Sequence, residues 1–520
     1  MCTCKFKPRM KKILPHDNND AVICYPNCPR VLFTSAMRQR VSNEKGKPNA
    51  ISEDRIKHYH QFLDKYFEEQ IIPILQEFNY NVEAWMNSLD TLEKQKEVLK
   101  WYQDYKYNNK KLGLEVLKEC LKYDLFTKEE KQATTINEDG SISYPKCRAI
   151  SSCPPILKWV MGPVIKALEK LFGRKLKGYK FNDGETSFKS WSDIEQYYDR
   201  NDADGFTEYN DADGSRWDTT MRIWMNHIFK LIINWLVDNH KIYHVDGELF
   251  RQASTPDYRS LTAKVYIDGR SYTLISMLIY ATMFSGSPNT IFTNTVINAT
   301  LNAYIFEGVL GYTADEYKSN CSGDDNQSSV RPGDSQRIRD TFIKVWTELG
   351  LVPKYFNTGD TSVITFCSTN VVKYFEDGQY KHKILRIPNR LNPLSHYSIS
   401  ALHYFAGEMK THYEELAIGM LSWAKNIPYY ENYIKAFQYH ADQIKSEKKK
   451  IPEGKAKMTF DTDEVYENCN YEKVKTLERC SNRVPPEHVI YDFLYEKYNI
   501  TKTDIIKQEE LLRKYVNYTV

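Results

Sequence analysis

NDADGSRWD at Asn210–Asp218 and SGDD at Ser322–Asp325, with SGSPNTIFTN at Ser285–Asn294 between them, organise this chain. Glycine before two acids permits a tight hairpin that presents Asp324 and Asp325 at its tip. Asp213 supplies an opposing carboxylate from a neighbouring strand. Carboxylates are the hard oxygen ligands that Mg²⁺ requires. A Gly-Asp-Asp tripeptide alone occurs by chance at surface turns, so the weight lies in the order and spacing of all three segments. NDADG occurs twice, at Asn201–Gly205 and Asn210–Gly214, but only the second copy has an aspartate five positions after its last acid, the pair Asp213 and Asp218. Neither copy is a calcium loop. Aligning Gly205 or Gly214 on the invariant glycine puts Arg200 or Tyr209 at the first ligand position.

At 520 residues and 41% hydrophobic content the chain is an ordinary globular protein of two or three lobes. The 38 tyrosines read either as compositional drift or as base-stacking surfaces. A net charge of +3 excludes a wholly basic nucleic-acid glue, so any such channel depends on local runs at Lys7–Lys12, Arg174–Lys177 and Lys445–Lys450. No apolar run reaches membrane-spanning length, and the longest, Ile228–Val237, carries Lys230 and Asn234. Eleven scattered cysteines and the absence of a signal-peptide core predict a reducing, cytosolic setting. Cys2 and Cys4 with Cys24 and Cys28, and His16 nearby, would suit a structural Zn²⁺ site, although irregular spacing and the terminal position argue against one.

Along the chain, Ile51 to about Tyr123 shows helical periodicity, with Tyr59, Phe62, Leu63 and Tyr66 on one face. INEDGSIS and AKVYIDGRSYTLI predict hairpins turning at Asp139-Gly140 and Asp268-Gly269. A basic strand, YPKCRAI, precedes the Pro154-Pro155 break and a helix over about Leu157–Leu171. Met221 to Trp235 recur at helical spacing as core, a helix follows the Ser-Gly loop, and helices dominate beyond Leu385.

Together these motifs resemble the RNA-dependent RNA polymerases of positive-strand RNA viruses, in the picornavirus-like and tombusvirus-like assemblage, over roughly Lys146 to Ser368. The resemblance implies an α+β fold shaped as a closed right hand, with an antiparallel palm sheet and largely helical fingers and thumb. It places fingers with an N-terminal extension at 1–205, palm at 206–240, an insertion at 241–282, palm again at 283–375 and thumb at 376–520. Asp213 and Asp218 match motif A, Ser285, Gly286, Thr290 and Asn294 match motif B, and Gly323-Asp324-Asp325 match motif C. By that resemblance Asp213, Asp324 and Asp325 hold two Mg²⁺ or Mn²⁺ ions, and Asp218 with Ser285, Gly286, Thr290 and Asn294 binds the nucleotide. An amide and a carboxylate at Asn294 and Asp218 together read a 2′-hydroxyl as donor and acceptor.

KCRAI resembles motif F, so Lys146 and Arg148, alternating on one face of a strand, are expected to meet the triphosphate. ELGLVPKYF resembles motif D, with Lys354 the expected acid for the pyrophosphate leaving group and Lys344 or Lys373 as alternatives. ITFCSTN at Ile364–Asn370 resembles the motif E hairpin. The strands entering motifs A and C read FTEYNDA and YKSNCS, more polar than the family pattern, which leaves Asp211 as a rival to Asp213.

The expected activity is template-directed RNA synthesis from NTPs in host cytoplasm. RNA template and product strand and other viral replication proteins at membranes are the expected partners, and no membrane span is expected. Reverse transcription shares the metal acids, but a Ser-Gly…Thr…Asn loop reads the 2′-hydroxyl rather than excluding it with bulk. A non-catalytic RNA-binding protein would have little reason to keep a clustered set of acids.

Overall fold

The computed structural model describes residues 11–15, 22–24, 51–127, 131–133, 135–136, 141–143, 148–180, 190–214, 217–267, 270–280, 283–388, 395–398, 401, 404–444 and 481–514. Helices and mainly antiparallel sheets make it an α+β protein. No helix among the described residues is long and apolar enough to cross a membrane.

Helix α1 (Glu53–Tyr66) starts at Ser52, whose hydroxyl accepts from the Arg55 N–H, with Glu53 and Asp54 at the positive end of the helix dipole. Its Tyr59 and Leu63 are buried. Further helices at Val82–Ser88 and Leu92–Asn108 follow. The expected helical stretch to Tyr123 ends earlier, because strand β1 (Lys122–Thr127) alternates Tyr123 and Leu125 into the core. Strand β2 (Ala149–Ser152) leads to α2 (Pro155–Lys175), longer at both ends than expected, with Pro155 at the start where a missing N–H is no loss. A capping box of Ser190 and Asp193 opens α3 (Trp191–Ala203).

Strand β3 (Glu208–Gly214) is followed by α4 (His227–Asp238), where Ile228 and Ile232 are fully buried as the periodicity required. Strands β4 (Tyr258–Ile267) and β5 (Arg270–Tyr280) form the expected antiparallel hairpin, Ile267 facing Arg270, while residues 268–269 at its turn lie outside the described set. Helix α5 (Thr290–Ala303), β6 (Tyr317–Ser322), β7 (Asp325–Val330), α6 (Ser335–Glu348) and β8 (Pro353–Gly359) complete the centre. ITFCSTN does not itself form a hairpin. Cys367 and Ser368 take left-handed φ values of 51° and 61°, which break extended backbone, so the hairpin is the next segment, β9 (Thr369–Glu376) with β10 (Gln379–Arg386). Helices α7 (Ala406–Ala424), α8 (Tyr430–Gln443), α9 (Glu487–Tyr498) and α10 (Lys502–Leu512) follow.

One sheet runs β5-β4-β1-β2, with β4 parallel to β1. The central sheet runs β6-β7-β3-β8 and is antiparallel throughout. The largest apolar core lies around α1, α2, α4 and α5, and a second gathers α7 to α10. Ile13 and Leu14 join that second core, and the Tyr413 hydroxyl donates to the Ile13 carbonyl at 2.5 Å. Tyr59, Tyr123, Tyr198, Tyr304 and Tyr433 are fully buried, so these rings are packing groups rather than stacking platforms.

The polar residues of the central sheet are buried as well: Asn210, Ser319, Asn326, Gln327, Ser328 and Ser329. Buried polar groups destabilise a fold unless bonded. Here Tyr198 donates to Gln327 Oε1 at 2.8 Å, Thr358 to Asn210 Oδ1 at 3.2 Å, and Asn302 to Ser319 Oγ at 3.1 Å. Side-chain bonds from α3, β8 and α5 therefore do what apolar packing does elsewhere.

Candidate active site

Ser322 pairs with Asp325 across a two-residue turn, and Gly323 takes a φ of 68° at its first central position. Beyond that turn β7 aligns with β3, Asn326 facing Ala212, so the next residues outward are Asp325 and Asp213. Acids from distant stretches of chain thus share one end of the sheet. On the other flank of β3, Tyr355 of β8 aligns with Asp213, and the neighbouring Lys354 Nζ lies 2.6 Å from Asp213 Oδ2. Of the other lysines, Lys344 is exposed on α6, and Lys373 is ion-paired to Asp202 at 2.5 Å. Arg148, just before β2, is close enough for its charge to favour the ionised form of Asp324.

Crowding governs the charges. Burial and then the adjacent Asp324 push the Asp325 carboxyl up to about 6, with Asp213 and Asp211 adding to the rise. Asp324 is raised by desolvation and by Asp213, although solvent reaches the tip of the turn. Asp211 is buried and raised by desolvation, and its Oδ2 accepts from the Thr365 hydroxyl at 2.6 Å and the Thr365 N–H at 3.1 Å. That engagement separates the rivals. Asp211 is tied to the loop before β9, and Asp213 faces Lys354 and the Gly-Asp-Asp turn. Cys367 stands against Asp325 and Ser322, its thiol pushed up to about 12 by desolvation and by Asp325 although solvent reaches the residue, so it stays protonated as a donor to the carboxylate.

Among the described residues no three His, Cys, Asp or Glu side chains are gathered tightly enough to hold a metal ion. The donor chemistry nonetheless suits a hard divalent cation. Three carboxylates at one strand end, two of them raised by crowding, are the groups a cation would relieve.

This electrostatic strain carries a stability prediction. The Asp325 carboxyl titrates near 6 when folded and near 3.8 when unfolded, so the folded protein binds more protons between those values. Stability therefore falls as pH rises through that window, and the deficit persists above it. Asp325→Asn is expected to stabilise the metal-free protein by about 1–2 kcal/mol at pH 7.5, after solvent screening, and by almost nothing near pH 4. Melting curves in chelator at both pH values measure this, and equal Tm values at pH 7.5 would contradict it.

A second set of groups lies at the start of α5. Asn294 Nδ2 donates to Asp218 Oδ1 at 3.0 Å, while Asn294 Oδ1 and Ser285 Oγ are buried with no hydrogen-bond partner among the described residues. Unpartnered buried polar atoms are uncommon enough to need a reason. Thr290 is placed differently from expectation: its hydroxyl turns to the carbonyls of Phe284 (2.5 Å) and Ser287 (3.0 Å) and closes the loop on itself. Gly286 bridges Ser152 of β2, seating the loop on the strand that follows Arg148. Tyr123 and Asn289 hold Ser287 Oγ at 3.1 and 2.7 Å, bracing the loop from below.

Lys146, Cys2, Cys4, His16 and Cys28 lie outside the described residues, and Cys24 ends a short strand, Val22–Cys24. Thr365, Cys367, Thr295 and Asn298 escaped the sequence reading. A signal existed for the last: asparagines at 294, 298 and 302 recur every four residues on a helix with no charged residue. No protein-family model matches the chain. No curated protein matches it either.

Proposed function

We propose that this chain is an RNA-directed RNA polymerase with a right-hand fold, the central sheet being its palm. The observation that carries the proposal is the pairing of Asp218 with Asn294, whose Oδ1, like Ser285 Oγ, has no partner among the described residues, in the same molecule whose β3 and β7 bring Asp213 next to Asp324 and Asp325. A sugar hydroxyl supplies both a donor and an acceptor, which is what the unpartnered amide oxygen and serine hydroxyl lack.

In this reading Asp213, Asp324 and Asp325 hold a pair of Mg²⁺ or Mn²⁺ ions. When bound, such ions lower the pKa of an attacking hydroxyl and neutralise triphosphate charge. The growing strand's 3′-hydroxyl loses its proton to solvent and attacks the α-phosphate of an NTP, the bond from that phosphorus to the oxygen bridging to the β-phosphate breaks, and pyrophosphate leaves. Arg148, with Lys146, orients the triphosphate. Lys354 lies beside Asp213 and donates a proton to the departing pyrophosphate.

Primer extension on an RNA template with Mg²⁺ or Mn²⁺ tests the proposal, with NTPs and dNTPs compared side by side. Incorporation of NTPs in strong preference to dNTPs is expected, and preference for dNTPs would instead indicate reverse transcription. Asn294→Ala removes both the amide that holds Asp218 and the unpartnered acceptor. It is expected to lower NTP-over-dNTP selectivity by about 10–100-fold, chiefly by slowing NTP incorporation. Unchanged selectivity in that variant would refute the assignment of the sugar-reading pair.

A further inference from the structure

Asn298 sits in the middle of α5 with no solvent exposure, one helical turn beyond Asn294. Its amide nitrogen lies 3.2, 3.3 and 3.2 Å from the main-chain carbonyls of Gly323, Asp324 and Asp325, the three residues of the acidic turn. Its Oδ1 accepts from Asn326 Nδ2 at 2.9 Å. Asn326 donates in turn to Asn302 Oδ1 at 2.7 Å, and Asn302 returns a bond to Asn326 Oδ1 at 2.8 Å. The amide orientation is therefore determined chemically: the turn offers only carbonyls, so nitrogen must face it. Thr295 adds a fourth link, its hydroxyl accepting from the Gly323 N–H at 2.8 Å.

A hairpin tip ordinarily satisfies its carbonyls with water. Here the two N–H groups of a buried side chain from the helix below are shared among all three, although an apolar residue would fill that position without the cost of burying an amide. The arrangement also runs along one face of one helix. Asn294 holds Asp218, Asn298 holds the turn of Asp324 and Asp325, and Asn302 holds β6 and β7 through Ser319 and Asn326. Residues four apart on a helix lie above one another, so α5 acts as a single ruler between the two groups.

We infer that Asn298 is a positioning residue that sets the two turn carboxylates for divalent-cation binding, an inference that rests on the polymerase reading. It touches neither substrate nor ion, and it acts by immobilising the backbone that carries Asp324 and Asp325. Removing a group that orients ligands from behind typically weakens metal affinity or activity 10–100-fold.

Calorimetric titration of the RNA-free protein with Mn²⁺ tests this without reference to activity. Asn298→Ala is expected to weaken Mn²⁺ binding about tenfold or more. It should lower kcat while leaving the NTP KM near the wild-type value. Thr295→Val, nearly isosteric, leaves the Gly323 N–H without its acceptor but keeps the Asn298 bonds to the turn, and is expected to shift Mn²⁺ affinity in the same direction by less. Asn302→Ala removes an amide from the same ladder without freeing the turn, and should lower Tm while leaving Mn²⁺ affinity unchanged. Wild-type Mn²⁺ affinity in folded Asn298→Ala, or in Thr295→Val should the alanine variant not fold, overturns the inference alone. If wild type and Asp324→Ala bind Mn²⁺ equally well, the polymerase reading falls first and takes the inference with it.

Discussion

Asp324→Ala is expected to reduce nucleotide incorporation by at least about 1000-fold, a loss of about 4 kcal/mol of transition-state stabilisation, with the fold intact. The turn is held through its main chain: the Gly323 N–H donates to Thr295, and the carbonyls of residues 323–325 accept from Asn298. Deleting the Asp324 carboxylate leaves those bonds in place and removes a like charge beside Asp325. Tm is therefore expected to hold or rise slightly while turnover disappears, a combination that a merely structural acid would not give. Primer extension and thermal melts on the same preparation measure both. Retention of more than a tenth of wild-type incorporation would end the two-ion proposal.

Gly286→Ala is the second large effect, and it tests the loop rather than the acids. A Cβ at this position would stand 2.3 Å from the Ser151 carbonyl oxygen, 3.1 Å from its carbon and 3.2 Å from the Ser152 Cα. All three are backbone atoms of β2, which is paired with β1 and cannot swing aside as a side chain would. Overpacking of this kind destabilises by about 1–3 kcal/mol. The loop must also lift from β2, displacing Ser285 and the start of α5 that carries Asn294. Incorporation is expected to fall about 100-fold or more, with a lower Tm, since small displacements of positioning groups can cost that much. Wild-type rate and Tm together would show that the bridge between Gly286 and Ser152 is unimportant.

Much of the fold follows from local pattern. The periodic apolar residues of Met221–Trp235, the Pro-Pro start of α2 and the hairpin of β4 and β5 are visible because each depends on neighbours in sequence. Elements that depend on partners across space were less legible. The motif E segment was assigned to Ile364–Asn370, but left-handed backbone at Cys367 and Ser368 delays the hairpin to Thr369–Arg386. FTEYNDA and YKSNCS are more polar than the family pattern, and the partners that allow them to be buried, Tyr198, Thr358 and Asn302, lie on other elements. Spacing to Asp218 favours Asp213 over Asp211 in the sequence, but their different partners, Lys354 for Asp213 and Thr365 for Asp211, are set by the fold.

The repeated pentapeptide NDADG separates the two kinds of information. Its spacing to Asp218, and the Gly-Asp-Asp and Ser-Gly segments downstream, are properties of the chain alone and were enough to nominate the acids. The conformation of the pentapeptide is not such a property. Asn201–Ala203 closes α3, with the Phe206 N–H returning to the Asn201 carbonyl at 2.7 Å and Gly205 in a left-handed φ of 82°, a common helix ending. Asn210–Gly214 is a central strand bonded on both sides by β7 and β8. Five identical residues have identical intrinsic preferences, all weak, so the hydrogen-bonding ladders offered by distant strands decide between helix end and sheet.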